Sequence, residues 1–445
     1  MSGQSHRHSR NDTTGLPPKK ESSWPMLLSR MLRPLIRVGR LTVIDADGGQ
    51  HVFGTDTAPA VTVRLHDRAL HWRIVLNPGL YVGEAYMDGT LTVEDASLYE
   101  FLDLFIRNLK AGRGKLKGPL GRLNRLLRRA KQFNPASRAR RNVAHHYDLS
   151  ADLYDLFLDA DRQYSCAYFV HPDDDLETAQ LRKKQHIAAK LLLEPGMRVL
   201  DIGCGWGGLG LYLAERLDAE VTGITLSEEQ LKIAQNRAAA AGLADRARFH
   251  LRDYRHETGT FDRIVSVGMF EHVGVNHYDE FFRTVHDCLS DDGVALLHTI
   301  GRHNGPGSTN PWLQKYIFPG GYSPALSELA AAIERSGLWM IDIEILRLHY
   351  AHTLRHWRQR FLANRERVAA LYDERFCRMW EYYLATSEIS FRYLNSVVFQ
   401  IQLAKHRDAV PQTRDYLFAA EQALAEADAP SLRQDRLKEA IGARG

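Results

Sequence analysis

The feature that most limits how this chain can fold is the alternation of short apolar strands with helical patterns through its middle. A helical pattern over Thr178 to Leu192 leads into a strand at Arg198 to Ile202, a glycine turn, a helix at Gly208 to Arg216, a strand at Glu220 to Ile224 and a helix at Ser227 to Ala241. Strands follow at Ala247 to Leu251, Arg263 to Gly268 and Val294 to Ile300, with a helix at Tyr278 to Leu289 between the last two. Connections this short make successive strands parallel, with helices crossing over on both faces of one sheet. The fold class is therefore α/β, a doubly wound and mostly parallel sheet. Such sheets bind ligands outside the carboxyl ends of their strands, so chemistry is expected along that edge.

Residues 143–407 are assigned to this domain. Past Gly301 the pattern turns irregular, resumes as a strand near Met340 to Leu346 and gives way to aromatic, charged helices from Thr353 to His406, read as a helical lid. A polar, partly helical tail occupies 408–445. Upstream, Leu41-Thr-Val-Ile and Val61-Thr-Val-Arg-Leu, bounded by Asp-Gly and Gly-Thr turns, precede an amphipathic helix at Ser97 to Leu109. These read as a small α+β N-terminal domain over 24–110. Its first stretch, Trp24 to Arg37, is apolar with interleaved arginines and reads either as an interfacial helix or as a helix packed on that domain. With 445 residues the chain has material for two cores and tails.

A net charge of only +4 hides one strongly basic segment. Arg107 to Arg141 carries 13 Lys and Arg in 35 residues and no acid, most of it in a linker over 111–142. Such a segment fits an anionic surface, and equally a solvated linker. Its one aromatic residue is Phe133, so base stacking is poorly supported and nucleic acid is disfavoured as a partner. Residues 1–23 are polar, lack the apolar core of a signal peptide and read as a disordered tail. No uncharged apolar stretch approaches the ~20 residues that span a bilayer. Cys166, Cys204, Cys288 and Cys377 form no C-x-x-C pair and have no histidines at zinc spacing, so no metal site is expected. The expected location is the cytoplasm, with lipid met peripherally at the inner face of the membrane.

The glycine turn reads Asp201-Ile-Gly-Cys-Gly-Trp-Gly-Gly208. Gly203, Gly205 and Gly208 satisfy G-x-G-x-x-G, which permits a dinucleotide. Gly203, Gly205 and Gly207 also satisfy G-x-G-x-G behind Asp201, the usual first motif of S-adenosylmethionine-dependent methyltransferases. Pyrophosphate needs bare amides at a helix N-terminus, whereas the ammonium of S-adenosylmethionine gains from a carboxylate, which Asp201 supplies. A dinucleotide site also wants an acid at the end of the second strand. That strand ends in Gly223-Ile-Thr-Leu-Ser227, with hydroxyls and no carboxylate, which favours the methyl donor.

Taken together, Tyr164-Ser-Cys-Ala-Tyr-Phe169, the glycine turn, Gly223-Ile-Thr-Leu-Ser227, Asp253-Tyr-Arg255, Phe261 to Gly274, Leu297-His-Thr-Ile-Gly301 and Trp312 to Gly321 resemble the cyclopropane-fatty-acyl-phospholipid synthases. They are also similar to mycolic-acid cyclopropane synthases and fatty-acid methyltransferases. Gly83 to Gly89 extends the likeness into the small domain, as in the phospholipid-acting branch. The resemblance implies a class I, Rossmann-like methyltransferase that carries a methylene from S-adenosylmethionine to the cis double bond of an unsaturated phospholipid acyl chain. It also implies a carbocation deprotonated by a bound bicarbonate.

The family pattern places bicarbonate against Cys166, Glu271, His298, Ile300 and Tyr350, with Cys166 and Ile300 contributing mainly backbone groups. It places the donor against Tyr164, Ser165, Gly203, Gly205, Thr225, Leu226, Gln230, Tyr254 and Arg255, beside Asp201. At the last two positions the mycolic-acid enzymes have a tryptophan followed by an acid. Blander readings stand beside these: Cys166 as small core filling, His298 as a hydrogen-bonded core histidine, Glu271 as a helix cap. The aromatics from Phe361 to Phe399 have the helical spacing of a core, with some expected to line an acyl pocket. The alternatives are a methylated or methylenated chain made through the same cation, a small-amine N-methyltransferase, or a noncatalytic lipid-surface binder. A homo-oligomer is compatible with the reading.

Overall fold

The computed structural model describes residues 26–111 and 150–442. The tail at 1–23, Trp24 and, beyond Ala111, the basic linker lie outside the described residues.

The small domain comprises α1 (Met26–Leu35), β1 (Arg40–Ile44), β2 (Gln50–Gly54), β3 (Ala60–Leu65), α2 (Leu70–Leu76), α3 (Pro78–Met87), β4 (Leu91–Val93) and α4 (Leu98–Ala111). Its sheet runs β2-β1-β3-β4, with β1 parallel to β3 and the outer pairs antiparallel. Alternation along β3 turns Val61, Val63 and Leu65 inward. Of the two readings of the first apolar stretch, packing is observed: α1 buries Leu28 and Leu32, and Ile36 follows them into the core.

The larger domain runs α5 (Ala151–Asp155), α6 (Leu176–Leu191), β5 (Arg198–Ile202), α7 (Gly208–Leu217), β6 (Glu220–Thr225), α8 (Glu228–Ala240), β7 (Ala247–Leu251), β8 (Phe261–Val267), α9 (Tyr278–Cys288) and β9 (Leu289–Arg302). It continues through α10 (Pro311–Tyr316), α11 (Leu326–Ser336), β10 (Trp339–Leu346), α12 (His349–Ala363), α13 (Arg365–Leu371), α14 (Glu374–Tyr393), β11 (Ser396–Ala404) and α15 (Asp415–Gly442). The strand order is β10-β11-β9-β8-β5-β6-β7. Strands β9, β8, β5, β6 and β7 pair in parallel, and β11 is antiparallel to both neighbours. The order reverses between β5 and β8, where a doubly wound sheet opens a crevice at its carboxyl edge.

One expected element is corrected. The run from Thr353 to His406 is not helical to its end, because Ser396–Ala404 forms β11 between β9 and β10. Phe399-Gln-Ile-Gln-Leu403 alternates apolar with polar residues as a strand does, but the strand is buried from Val398 to Ala404, both glutamines included. The last helix, α15, packs along α6. There buried Asp428 accepts hydrogen bonds from Tyr212 Oη at 2.8 Å and Gln185 Nε2 at 2.9 Å, and pairs with Arg216 at 3.0 Å.

The small domain packs against α10 and α14 of the larger one. Gly83 on α3 lies so close to Trp312 and Tyr382 that a Cβ there would stand 2.6 Å from Trp312 Cδ1. Glu84 accepts from Lys315 Nζ at 2.6 Å and Tyr316 Oη at 2.8 Å, and Tyr86 Oη donates to Glu381 at 3.0 Å.

Candidate active site

At the end of β5 the chain turns through Gly203 (φ 86°), Gly205 (φ 56°) and Gly207 (φ 83°), the left-handed region that glycine alone enters without strain. A Cβ on Gly203 would stand 2.6 Å from Met269 Cβ, whereas nothing lies within 4 Å of the corresponding point on Gly205. The turn thus packs tightly on one side and bares its backbone to a cleft on the other. Every residue expected at the donor site lines this cleft: Tyr164, Ser165, Asp201, Gly203, Gly205, Thr225, Leu226, Gln230, Tyr254 and Arg255.

Burial pushes the Asp201 carboxyl up to about 7, with Lys183 pulling the other way. A cation in the cleft would restore its charge. Lys183 was not anticipated. It is fully buried, donates from Nζ to Ser165 Oγ at 2.9 Å and to Gln163 Oε1, and is pushed down to about 8 by burial against the pull of Asp159. The available signal was its place on the inward stripe of α6 with Leu176, Ala179, Gln180 and Ile187.

At the end of β6, Thr225 Oγ1 donates to Gln230 Oε1 at 2.9 Å, and Ser227 Oγ caps α8 by accepting from the Gln230 amide at 3.3 Å. Arg255 forks onto Asp253 at 2.9 and 2.6 Å, so the wall there presents a neutralised pair. Tyr254 lies edge-on to Phe281, with centroids 5.3 Å apart.

A second cavity shares Tyr164, Ser165, Gly268 and His272 with the first. Cys166, Glu271, His298, Ile300 and Tyr350 all line it, together with Leu313, Phe318, Tyr383 and Phe391. Glu271 follows β8 on a short 3₁₀ turn. Its Oε1 accepts from the Ile300 amide at 2.5 Å, while Oε2 is buried with no hydrogen-bond partner among the described residues. Burial pushes its carboxyl up to about 7 against the opposing Ile300 amide. The reading of Glu271 as a helix cap is thereby overturned, since α9 has no side-chain cap. The Ile300 amide hydrogen is spent on Glu271, which leaves its carbonyl as the backbone group expected of it at a ligand.

His298 is 2% exposed, and its Nδ1 faces Gln400 Nε2 at 3.1 Å. Burial lowers its pKa far below the ordinary range, so the ring is neutral. It is both a hydrogen-bonded core histidine and a wall of the cavity. Burial raises the Cys166 thiol, which stays protonated. His272, also unanticipated, is pushed down to about 4 by burial and sits neutral where the cavities meet. Of the late aromatics, Phe361 and Trp380 are core, while Tyr383 and Phe391 face the cavity. Tyr164 spans both groups, stacked on Trp357 at 5.1 Å with its hydroxyl 2.8 Å from that of Tyr383.

A cleft at the sheet switch point thus meets an apolar chamber whose wall holds a buried carboxyl with one oxygen on the Ile300 amide and the other without a hydrogen bond among the described residues, an arrangement suited to a polar ligand beside a greasy one. The family model described as mycolic acid cyclopropane synthetase matches residues 135–401. The cyclopropane-fatty-acyl-phospholipid synthase of Escherichia coli K12 is 39% identical over 351 residues, 78% of this chain and 89% of that protein. The tuberculostearic acid methyltransferase UfaA1 of Mycobacterium tuberculosis is 35% identical over 388 residues, 82% of this chain and 88% of that protein. The crystal structure of mycolic acid cyclopropane synthase CmaA1 complexed with SAH and CTAB superposes with a TM-score of 0.57 at 35% identity, covering 61% of this chain and 99% of that one. The chain belongs to the mycolic acid cyclopropane synthetase family and is an S-adenosylmethionine-dependent methyltransferase.

Proposed function

We propose that this enzyme adds one carbon from S-adenosylmethionine across the cis double bond of an unsaturated phospholipid acyl chain, closing a cyclopropane ring. The observation that carries the reading is the junction at Tyr164, Ser165, Gly268 and His272, four residues that wall both the donor cleft and an apolar cavity beside it. Similarity to the Escherichia coli synthase over most of both chains supports the lipid class.

An olefin is a feeble nucleophile, so the reaction depends on alignment and on exclusion of water. S-adenosylmethionine supplies an electrophilic methyl group. As the π pair forms the new C–C bond and the S–C pair stays on sulfur, positive charge appears on the acyl chain. The tyrosine and phenylalanine faces of the cavity stabilise that charge. Loss of a proton from the added carbon then closes the ring.

The residues around Glu271 fit a bicarbonate. Glu271 Oε2 lacks a partner, and a carboxyl with a pKa near 7 is neutral often enough to donate to an anion. His298 and the Tyr350 hydroxyl would complete the holding set. Bicarbonate, when held there, supplies the base for the departing proton.

Incubation with methyl-labelled S-adenosylmethionine and vesicles of unsaturated phospholipid, followed by mass spectrometry, tests the reading. A chain one CH2 heavier that resists hydrogenation is expected, with a rate that rises as bicarbonate returns to stripped buffer. Similarity to a tuberculostearic acid methyltransferase favours a second reading, in which the same cation yields a methyl-branched or methylenated chain. A hydrogenatable or branched product would establish it, and label in a water-soluble amine alone would overturn both. The substrate lies in a bilayer, and no described helix is long and apolar enough to cross one. The segment from Arg107 to Arg141 is proposed to hold the enzyme peripherally on anionic lipid, and salt should weaken vesicle binding.

A further inference from the structure

We infer that Gln400 is a positioning residue that holds His298 in the tautomer with its proton on Nε2, and that Lys190 holds Gln400. Gln400 sits in β11 directly across from His298 of β9, and both are buried. A polar side chain at the centre of an apolar strand needs partners on each side, and it has them. Gln400 Oε1 lies 2.7 Å from Lys190 Nζ, and Nε2 lies 3.1 Å from His298 Nδ1.

An ammonium donates and cannot accept, so the amide atom facing Lys190 must be the oxygen. That sends the NH2 toward His298. An amide NH2 cannot accept either, so Nδ1 must carry the lone pair and the single ring proton rests on Nε2. The ring is neutral because burial disfavours its charge, an effect that the neighbouring Lys183, Lys190 and His186 reinforce and Glu344 opposes. The choice left to the protein is therefore which nitrogen bears the proton. With Nδ1 engaged inside the sheet, Nε2–H is the polar edge left for the cavity that His298 lines. It offers a donor to an oxyanion, where the other tautomer would offer a lone pair.

Lys190 is itself fixed. It is paired with Glu344 of β10, which also lies 2.7 Å from His186 Nε2, and His186 Nδ1 meets Glu421 of α15. The relay thus runs from the C-terminal helix through α6 and two strands to the cavity wall. The use made of Nε2–H rests on an anion occupying that cavity, as proposed above; the tautomer does not.

The test is ring-nitrogen NMR on full-length protein carrying ¹⁵N-histidine, in buffer free of bicarbonate, with His298 assigned from its loss in His298→Asn. Wild type should show Nε2–H. Lys190→Met frees the amide to turn over, and Gln400→Glu sets an acceptor opposite Nδ1. Both should move the proton to Nδ1 wholly or in part. Turnover should fall about a hundredfold, as when a misplaced proton disables a catalytic histidine, with the Kd for S-adenosylmethionine within about twofold of wild type. If Lys190→Met melts, the near-isosteric Gln400→Glu carries the test, with donor binding as the check on folding. Nδ1–H in wild type, or an unmoved Nε2–H in the folded variants, overturns the proposal. A wild-type rate indifferent to bicarbonate, with the tautomer moving as expected, removes the anion and leaves the relay standing.

Discussion

The donor cleft and the acyl cavity share four wall residues yet are built by opposite means. Most of the donor wall comes from one compact stretch of chain, the β5 turn and the ends of β6 and β7, where strand register alone brings Asp201 beside Gly223 and Val265. The acyl cavity gathers Cys166, Glu271, His298, Leu313, Tyr350 and Phe391 from six separate segments. A locally encoded site is robust to changes in tertiary packing. One assembled from distant pieces is where domain contacts and buried networks can act.

The largest expected effect comes from cutting the acyl cavity while sparing the donor. Glu271→Gln should lower turnover about 10²- to 10³-fold, the usual cost of a lost electrostatic or acid–base group, with the Kd for S-adenosylmethionine unchanged by calorimetry. Weaker donor binding in that variant would mean that the two sites are energetically one.

The same substitution should appear in stability. The Glu271 carboxyl sits near 7 in the folded chain against an ordinary 4.5, so the folded state keeps a proton that the unfolded chain releases. Its contribution is complete below about pH 4.5 and declines as pH rises to 7, by about 3 kcal/mol at most for a shift of that size. Urea melts of Glu271→Gln and wild type should therefore diverge in favour of the variant between pH 5 and pH 8. Asp201, also raised to about 7 by burial, adds a slope of the same sign. Saturating donor should remove the Asp201 share and leave that of Glu271. Parallel curves for variant and wild type would show that the Glu271 carboxyl is not buried as described, and a wild-type slope that saturating donor leaves unchanged would show the same of Asp201.

Gly203→Ala probes the local site in turn. It sets a Cβ 2.6 Å from Met269 Cβ at a φ of 86°, a strain of about 1–3 kcal/mol. Donor affinity should fall about tenfold or more, while lipid binding followed by vesicle flotation holds.

The same contrast governs what could be read from residues alone. The strands from Arg198 to Val267 are legible because short apolar runs alternate with helices, and glycines punctuate them at φ values that demand glycine. The donor residues fall on that frame and are legible with it. β11 carries the alternation Phe399-Gln-Ile-Gln-Leu403, which the helical spacing before it masks, and that both glutamines are buried, with Gln400 across from His298, is not written in that pattern. Lys183 and His272 were hidden for another reason. The inward stripe of α6 points Lys183 toward the core, but that its ammonium loses its water there, and that His272 does on its turn, depends on distant segments that local spacing does not record. The resemblance to a known family named Glu271, but that its Oε1 is held by the Ile300 amide comes only from the meeting of two strand ends.

The smallest expected effect reaches the acyl cavity through the other domain. Glu84 on α3 accepts from Lys315 and Tyr316 on α10, the helix that carries Leu313 into the cavity wall. Burial alone would raise the Glu84 carboxyl, but the hydrogen bonds from Lys315 and Tyr316 hold it below its ordinary range. Since the Lys315 side chain is 56% exposed, solvent screens much of the pair, and its loss is worth well under about 1 kcal/mol. Glu84→Gln should therefore raise the KM for vesicle lipid about two- to fivefold, leaving kcat and donor affinity as they were. The change should shrink at high salt, where the wild-type pair is already weakened. A kcat effect in its place would mean that the small domain shapes the transition state and not merely the entry of the chain, because α10 would then be moving the wall against which the double bond is held.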